Sequence, residues 1–419
     1  MFYQFLKILV GFTLRIFYRK IYITGTEHVK KGKAQLVASN HPNGFLEPLI
    51  MACYFPKDLH FLVRGDVFDN PFLKPILTST HQIPIFRFRD GFSKLRENSQ
   101  KMDEGMQVLL ENKNLLIFAE GGTQSIKFLR PLQKGIARIA FQTMEKSPQT
   151  DLEILPVGIN FTYPTRFNKE VMLRVSTPLQ VRPYFELYQQ DKNKATEALL
   201  NDLYARMKEN IIHLEDQSRL GTFEDVVVAS RIHLKNASVL PVLNNNTQQL
   251  DIEKNLASYI DQLKEPEYNS LNDEIKNLKL SLKNQGLKWN DLLKSPLNLY
   301  KSLLLIITLI PALIGLVFHG LPIMGGYNFT KSKVRQTEFK ASILMVSTLV
   351  LTLIMYVILI LVIIFTSISW IWLPIIVVSG LSLRLCYTIY TQTIFKGKKG
   401  LQDSQKIAQN LVNSLNQKS

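Results

Sequence analysis

Two long stretches of the chain carry no Lys, Arg, Asp or Glu: Ser302 to Thr330 and Ala341 to Leu383. Roughly 20 residues of helix cross the hydrocarbon core of a bilayer. The second stretch therefore reads as two transmembrane helices, at residues 341–365 and 369–390, with Thr366-Ser367-Ile368-Ser369 at their turn. Trp370 and Trp372 suit an interface, and Arg384 suits a snorkelling position at the far end. The first stretch holds Pro311, Gly315 and Gly320 and fits either a span or a re-entrant or interfacial segment. A membrane region over residues 301–395, followed by a basic tail over 396–419, is the frame around which the rest must fold.

Charge points the same way. Lys and Arg number 50 against 34 Asp and Glu, a net charge of +16. That balance suits an anionic partner: nucleic acid, acidic lipid or a phosphorylated substrate. The apolar residues concentrated toward the C-terminus select the membrane surface and argue against nucleic acid. Cys53 and Cys386 lie far apart and form no disulfide framework, consistent with a cytoplasmic active region. Residues 1–20 mix Phe, Tyr, Leu and Ile with Lys7, Arg15, Arg19 and Lys20. An interfacial membrane helix is the preferred reading there, and a helix packed on the globular part is the other.

From residue 21 to 220 short apolar strands alternate with helices. Strands are expected at Gln35–Ala38, His60–Val63, Gln82–Phe86, Leu115–Ala119, Glu153–Phe161 and Val171–Val175. Helices are expected at Glu47–Cys53, Ser93–Glu111, Leu132–Met144 and Lys194–Leu214. The alternation implies an α/β domain, a mixed sheet flanked by helices. It also places His41 and Glu120 just after strands, at the ends where open α/β sheets collect ligands. Residues 221–300 read as a helical linker or extension, with helices near Phe223–Leu234, Asp251–Leu263 and Leu271–Lys283 and a linker at Leu243–Thr247.

The segment Ser39-Asn40-His41-Pro42-Asn43-Gly44-Phe45-Leu46-Glu47-Pro48 holds one imidazole and one carboxylate. A neutral imidazole takes a proton from a hydroxyl while a carboxylate fixes its tautomer and steadies the imidazolium. Six residues apart on one helix, the two side chains would be rotated by roughly 240° and share no face. His41 must then lie in a turn before a helix, with Pro42 near the helix start. Alone, the pair describes a surface or capping pair as well as it describes a dyad. Glu120-Gly121-Gly122-Thr123 is a phosphate-loop candidate: two glycines let backbone N–H groups approach an anion, and Thr123 adds a hydroxyl. Glu120 itself would repel phosphate, so a sugar-hydroxyl or Arg-orienting role suits it. Arg87 offers a bidentate phosphate contact, with Arg64 and Lys134 as supporting cations. No Cys/His cluster has metal-ligand spacing and no nucleophile elbow is present, so neither a metal nor an acyl-enzyme is expected.

Four blocks, in order, resemble the phospholipid/glycerol acyltransferase family. They are Asn40-His41 to Glu47-Pro48; Ile83-Pro84-Ile85-Phe86-Arg87 with Asp90-Gly91; Ile117 to Ser125 followed by Leu132-Gln133-Lys134-Gly135 and Ala137-Arg138; and Ile154-Leu155-Pro156-Val157-Gly158. Two departures stand out. Five residues rather than four separate His41 from its acid, which is Glu47 where the family usually has Asp. Ala119 replaces a Pro before Glu120. The resemblance implies a glycerolipid acyltransferase domain over 21–220, with His41 and Glu47 catalytic. It implies acceptor binding by Asn43, Arg87 and Glu120 to Thr123, with support from Arg64 and Lys134. It also implies an acyl-thioester donor, acyl-CoA or acyl-carrier protein, and a phosphorylated glycerol acceptor, glycerol-3-phosphate or 1-acylglycerol-3-phosphate, on the way to phosphatidic acid. No further cofactor is expected. The alternatives are another lysolipid acceptor and a membrane lipid-binding protein without catalysis.

Cytoplasmic thioester donors would put residue 300 on the cytoplasmic side of an integral membrane protein. Lys331, Lys333, Arg335 and Lys340, with one acid, Glu338, favour that side too, as do Lys396, Lys398 and Lys399. A non-crossing 302–322 followed by a two-helix hairpin satisfies all three, and that is the expected topology.

Overall fold

The computed structural model describes residues 2–85, 92–394 and 398–416. Arg87, with Phe86, Asp90 and Gly91 of the second block, lies outside the described residues. The chain forms two compact units. The first comprises Met1–Leu14, Ile21–Pro164 and Val171–Ile211; the second comprises Arg15–Lys20, Thr165–Glu170 and Ile212–Ser419.

The first unit is an α/β layer structure. Its strands are β1 (Lys20–Thr24), β2 (Ala34–Ser39), β3 (Leu59–Arg64), β4 (Gln82–Ile85), β5 (Asn114–Phe118), β6 (Leu152–Phe161), β7 (Glu170–Val175) and β8 (Leu179–Gln180). They run in the order β4-β3-β5-β2-β6-β7-β1, with β8 paired to β6. The pairs β4/β3, β3/β5, β5/β2 and β2/β6 are parallel; β7 and β8 pair antiparallel to β6. The sheet is thus mixed, as expected. β2 and β6 are buried along their whole length, so their sequences are mainly apolar rather than alternating, with Gln35, Ser39, Glu153 and Asn160 as buried polar exceptions. Helices α2 (Leu46–Tyr54), α3 (Leu73–Ser79), α4 (Phe92–Leu110), α5 (Gly135–Lys146), α6 (Arg182–Gln190) and α7 (Lys192–Lys208) complete the unit. One core unites Leu36, Leu115, Ile139, Phe141, Ile154, Leu199 and Leu203.

Most of helix α1 (Phe2–Phe17) belongs to this unit. Lys7 pairs with Asp58 at 3.1 Å, and the Tyr54 hydroxyl donates to Gly11 O at 2.9 Å. Its other face leaves Phe2, Phe5, Ile8 and Phe12 exposed. One face of α1 is thus packed, and another presents large apolar groups to the surroundings.

The second unit is helical. Helices α8 (Leu220–Ser230), α9 (Gln248–Gln262), α10 (Glu265–Asn284) and α14 (Lys398–Asn416) pack together around Phe223, Val226, Leu256, Ile260, Ile275 and Leu278. The basic tail expected over 396–419 is instead helix α14 over its described part. Leu401, Ala408, Leu411, Val412 and Leu415 are buried at helical spacing, and Lys406 is exposed.

Three further helices, α11 (Leu299–Lys333), α12 (Thr337–Phe365) and α13 (Trp372–Gln392), are long and apolar enough to cross a membrane. α11 continues as helix through Pro311 and Pro322. Gly315 lies against the Ser379 carbonyl and Thr308 against Cys386, while Gly326 meets Thr348 and His319 meets Tyr356. In each set the partner's number falls as the α11 number rises. Both α12 and α13 therefore run antiparallel to α11, α12 along its C-terminal half and α13 along its N-terminal half. The two-helix hairpin expected over 341–390 is not formed. The small residues explain the difference: a Cβ on Gly315 or Gly326 would collide with the helix alongside, so α11 is the packing partner of both.

Arg384 does not snorkel. It is buried, and its guanidinium donates to Ile16 O at 3.0 Å and Tyr18 O at 2.8 Å, the carbonyls at the end of α1. A helix C-terminus carries unpaired carbonyls and partial negative charge, which a guanidinium satisfies.

Candidate active site

The site lies in the first unit, at the C-terminal end of β2. Asn40 sets it up. Its side chain donates to Ile159 O at 3.0 Å and accepts from Ile159 N–H at 2.8 Å, which continues the β2–β6 ladder with side-chain atoms. The backbone is then released to turn away, and His41 is the first residue of the turn.

Helix α2 begins only at Leu46, so Pro42 precedes it by several residues and is not at its start. Glu47 falls in its first turn. The backbone N–H of Asn43 donates to Glu47 Oε1, so the carboxylate reaches back over the turn. His41 Nδ1 lies 3.7 Å from the same oxygen, an ion-pair approach longer than a hydrogen bond. The imidazole stacks on Phe118 with ring centroids 3.7 Å apart and planes 10° from parallel. Glu47 is fully buried, and burial raises its pKa; His41 and the Asn43 N–H pull it back down. With Nδ1 facing the carboxylate, Nε2 is the nitrogen left to accept a proton. The Asn43 side chain donates to Pro164 O at 3.0 Å.

Glu120 is anchored on both oxygens. Oε1 accepts the His41 backbone N–H at 2.9 Å, and Oε2 accepts Arg130 Nε at 2.7 Å. Arg130 also donates to the Gly122 carbonyl. Gln124 N–H donates to His41 O at 3.1 Å, so the two loops are laced together from both sides. Of the two roles open to Glu120, the geometry forms the Arg-orienting one. Gly121 has φ +69°, and a Cβ there would press on Gln133, so the position requires glycine. Ala119 uses the N–H that a Pro would lack: it donates to Ser39 O at 3.1 Å.

The structure brings together His41, Asn43, Glu47, Glu120, Gly121 and Gly122. Thr123 follows in the same loop. Arg64 is half exposed and paired with Asp66 through Nε at 3.0 Å. Lys134 is exposed at the start of α5. No bond joins either to the dyad among the described residues. Sequence reading missed Arg130. It sits ten residues past Glu120, in Leu129-Arg130-Pro131, and no local pattern marks it.

A sequence model of the acyltransferase family matches residues 20–160. Residues 20–160 are an acyltransferase-family domain. An uncharacterized acyltransferase of Schizosaccharomyces pombe is 28% identical over 120 residues, and glycerol-3-phosphate O-acyltransferase 1 of Saccharomyces cerevisiae is 32% identical over 73 residues. The aligned stretches cover 28% and 17% of this chain and 18% and 10% of those proteins, so most of each relative's length has no counterpart in the match. The solved 1-acyl-sn-glycerophosphate (LPA) acyltransferase PlsC of Thermotoga maritima overlaps with a TM-score of 0.33 at 17% identity, covering 45% of this chain and 72% of that one. The family match ends within β6, and the second unit's helices from α8 onward lie beyond it.

Proposed function

We propose that the chain is a membrane-bound O-acyltransferase that moves a fatty acyl group from a thioester to a glycerol phosphate acceptor. The observation that carries this is the His41–Glu47 arrangement at the end of β2, inside the acyltransferase domain. His41 Nε2 takes the proton of the acceptor hydroxyl as its oxygen attacks the thioester carbonyl. The tetrahedral intermediate collapses, the C–S bond breaks, and the thiolate receives the proton from the imidazolium. Glu47 stabilises the imidazolium between the two transfers. The Gly121-Gly122-Thr123 loop, held by Glu120 and Arg130, binds the acceptor, and Arg87 supplies the phosphate contact. Acyl-CoA or acyl-carrier protein is the donor, which places the site on the cytoplasmic side. Among acceptors, glycerol-3-phosphate has support from the budding-yeast relative's name.

The test is acyl transfer by the purified full chain, from acyl-CoA to glycerol-3-phosphate, to 1-acylglycerol-3-phosphate and to other lysophospholipids. Product with a glycerol phosphate acceptor, lost in His41→Ala, is expected. Transfer only to a lysolipid lacking the phosphomonoester would remove the acceptor assignment, and no transfer to any acceptor would remove the enzyme assignment.

A further inference from the structure

We infer that Phe118 is a positioning residue for His41: its ring sets the plane of the imidazole and stabilises the imidazolium that forms during acyl transfer. The inference rests on the acyl-transfer reading and adds a residue to it.

The backbone of His41 is held independently of its side chain. Its N–H donates to Glu120 Oε1 at 2.9 Å, its carbonyl accepts from Gln124 N–H at 3.1 Å, and Asn40 before it is bonded twice to Ile159. None of these bonds sets the side-chain torsions. In a dyad that task falls to a hydrogen bond from Nδ1 to the carboxylate. Here Nδ1 lies 3.7 Å from Glu47 Oε1, beyond hydrogen-bond distance, and it is buried with no hydrogen-bond partner among the described residues. Glu47 thus acts on the imidazole as a charge across a gap and leaves the orientation of the ring to another contact.

Phe118 makes that contact. It closes β5 and stands in register with Ser39 on the adjacent parallel strand, two residues before His41. The turn after Asn40 lays the imidazole on the phenyl ring, with centroids 3.7 Å apart and planes 10° from parallel. A flat ring resting on a flat ring cannot tilt without losing the contact, so the plane of the imidazole is set.

The closeness of the stack bears on what it does. Aromatic pairs generally keep their centroids about 4.5–7 Å apart, offset or edge-on, because two face-on quadrupoles repel. A separation of 3.7 Å leaves little room for offset. A cation on a ring face, by contrast, is attracted by the same quadrupole. The contact therefore gains strength as the imidazole takes the proton of the acceptor hydroxyl, and a gain made at that point lowers the barrier rather than tightening substrate binding.

The test is acyl transfer by the purified full chain carrying Phe118→Leu, which keeps apolar bulk and loses the ring, or Phe118→Tyr, which keeps the ring. The backbone bonds around Phe118, Gly121 N–H to Phe118 O and Ala119 N–H to Ser39 O, both at 3.1 Å, are open to either variant. Phe118→Leu should lower kcat by about 10-fold, within the range of a cation–ring contact, with Tm and both KM values nearly unchanged. Phe118→Tyr should keep kcat close to wild type. If Phe118→Leu does not fold, Phe118→Met takes its place. Full kcat without the ring, an equal fall in the Leu and Tyr variants, or a change in KM alone overturns the inference. A second readout needs no turnover. With labelled histidine, the His41 ring resonances, assigned by their loss in His41→Ala, should lie upfield through the Phe118 ring current and move downfield in Phe118→Leu. Resonances that stay in place overturn the stack. A wild type that transfers no acyl group overturns the acyl-transfer reading, and the same resonances then still decide whether Phe118 sets the ring.

Discussion

Glu47 in the first unit and Glu170 in the second are both buried carboxylates, and their surroundings treat them in opposite ways. Glu47 has a backbone N–H and a neutral-capable imidazole for company, and burial raises its pKa. Glu170 lies between two guanidinium groups, and they hold its pKa down to about 2 in spite of burial. The first keeps a charge that is costly and therefore available to stabilise an imidazolium as it forms. The second has its charge neutralised by fixed partners and ties together Arg19 and Arg231, from separate parts of the second unit. One arrangement suits chemistry and the other suits anchoring.

Anchoring has meaning only if the second unit is held in a membrane, so the largest expected effect, all or none, concerns sidedness. α11 leads away from residue 299, and α12 and α13 both lead back, which sets the Val334–Gln336 connection and the Ser295–Thr393 bridge at opposite ends. In a background without Cys53 and Cys386, cysteines at positions 335 and 410 should label from opposite sides of sealed vesicles. Labelling of both from one side would restore the hairpin and detach Glu170 from any role at a membrane boundary.

The next effect is catalytic. His41→Ala should lower turnover by about 10²–10⁴-fold with Tm nearly unchanged. Glu47→Gln should also lower kcat by about 10²-fold, because it removes the charge that faces the imidazolium. A carboxyl whose folded pKa is raised costs stability while ionised and stops costing it once protonated. Tm of Glu47→Gln at neutral pH should therefore equal or exceed that of wild type. A clear fall in Tm would make Glu47 a structural carboxylate like Glu170 and end the contrast.

Glu170 carries the opposite sign. Its folded pKa of about 2 lies below the ordinary value of 4.5, so its stabilisation is complete above that ordinary value and is lost as pH falls through about 2. The depression corresponds to about 3 kcal/mol. Glu170→Gln should lower stability by that order at neutral pH and flatten the acid limb of the unfolding profile. Unchanged acid unfolding in this variant would show that Arg19 and Arg231 are satisfied without it.

How much of this was legible in sequence follows from which forces were local. The strands and the turn around His41 were legible because a fully buried parallel strand is a mainly apolar run, and Gly-rich turns punctuate it. The dyad was legible as a pair of residue types, but its geometry was not. Asn40 bonds to Ile159, 119 positions away, and that contact releases the turn. Arg130 was invisible because its partners, Glu120 and Gly122, are chosen by a loop that folds back on itself. In the second unit, apolar length was plain and direction was not. Hydropathy reports how deep a helix sits, whereas the side on which its small residues meet a neighbour decides which way that neighbour runs. Gly315 against Ser379 settles what composition left open.

The smallest expected effect tests the departure at Ala119. The family pattern places Pro here, yet Ala119 is buried and its N–H donates to Ser39 O at 3.1 Å, continuing the β5–β2 ladder one residue past the strand. Ala119→Pro removes that donor and leaves Ser39 O with one bond fewer, a loss of about 1 kcal/mol. Ala119 O still accepts from Gln133 N–H at 2.8 Å, and Glu120 keeps its contacts with His41 and Arg130. The variant should therefore melt a few degrees lower while KM and kcat stay close to wild type. If kcat fell instead and Tm held, the ladder bond would be positioning Glu120 rather than adding stability. The line between the working carboxylate and the anchoring one would then pass through the third block rather than between the two units.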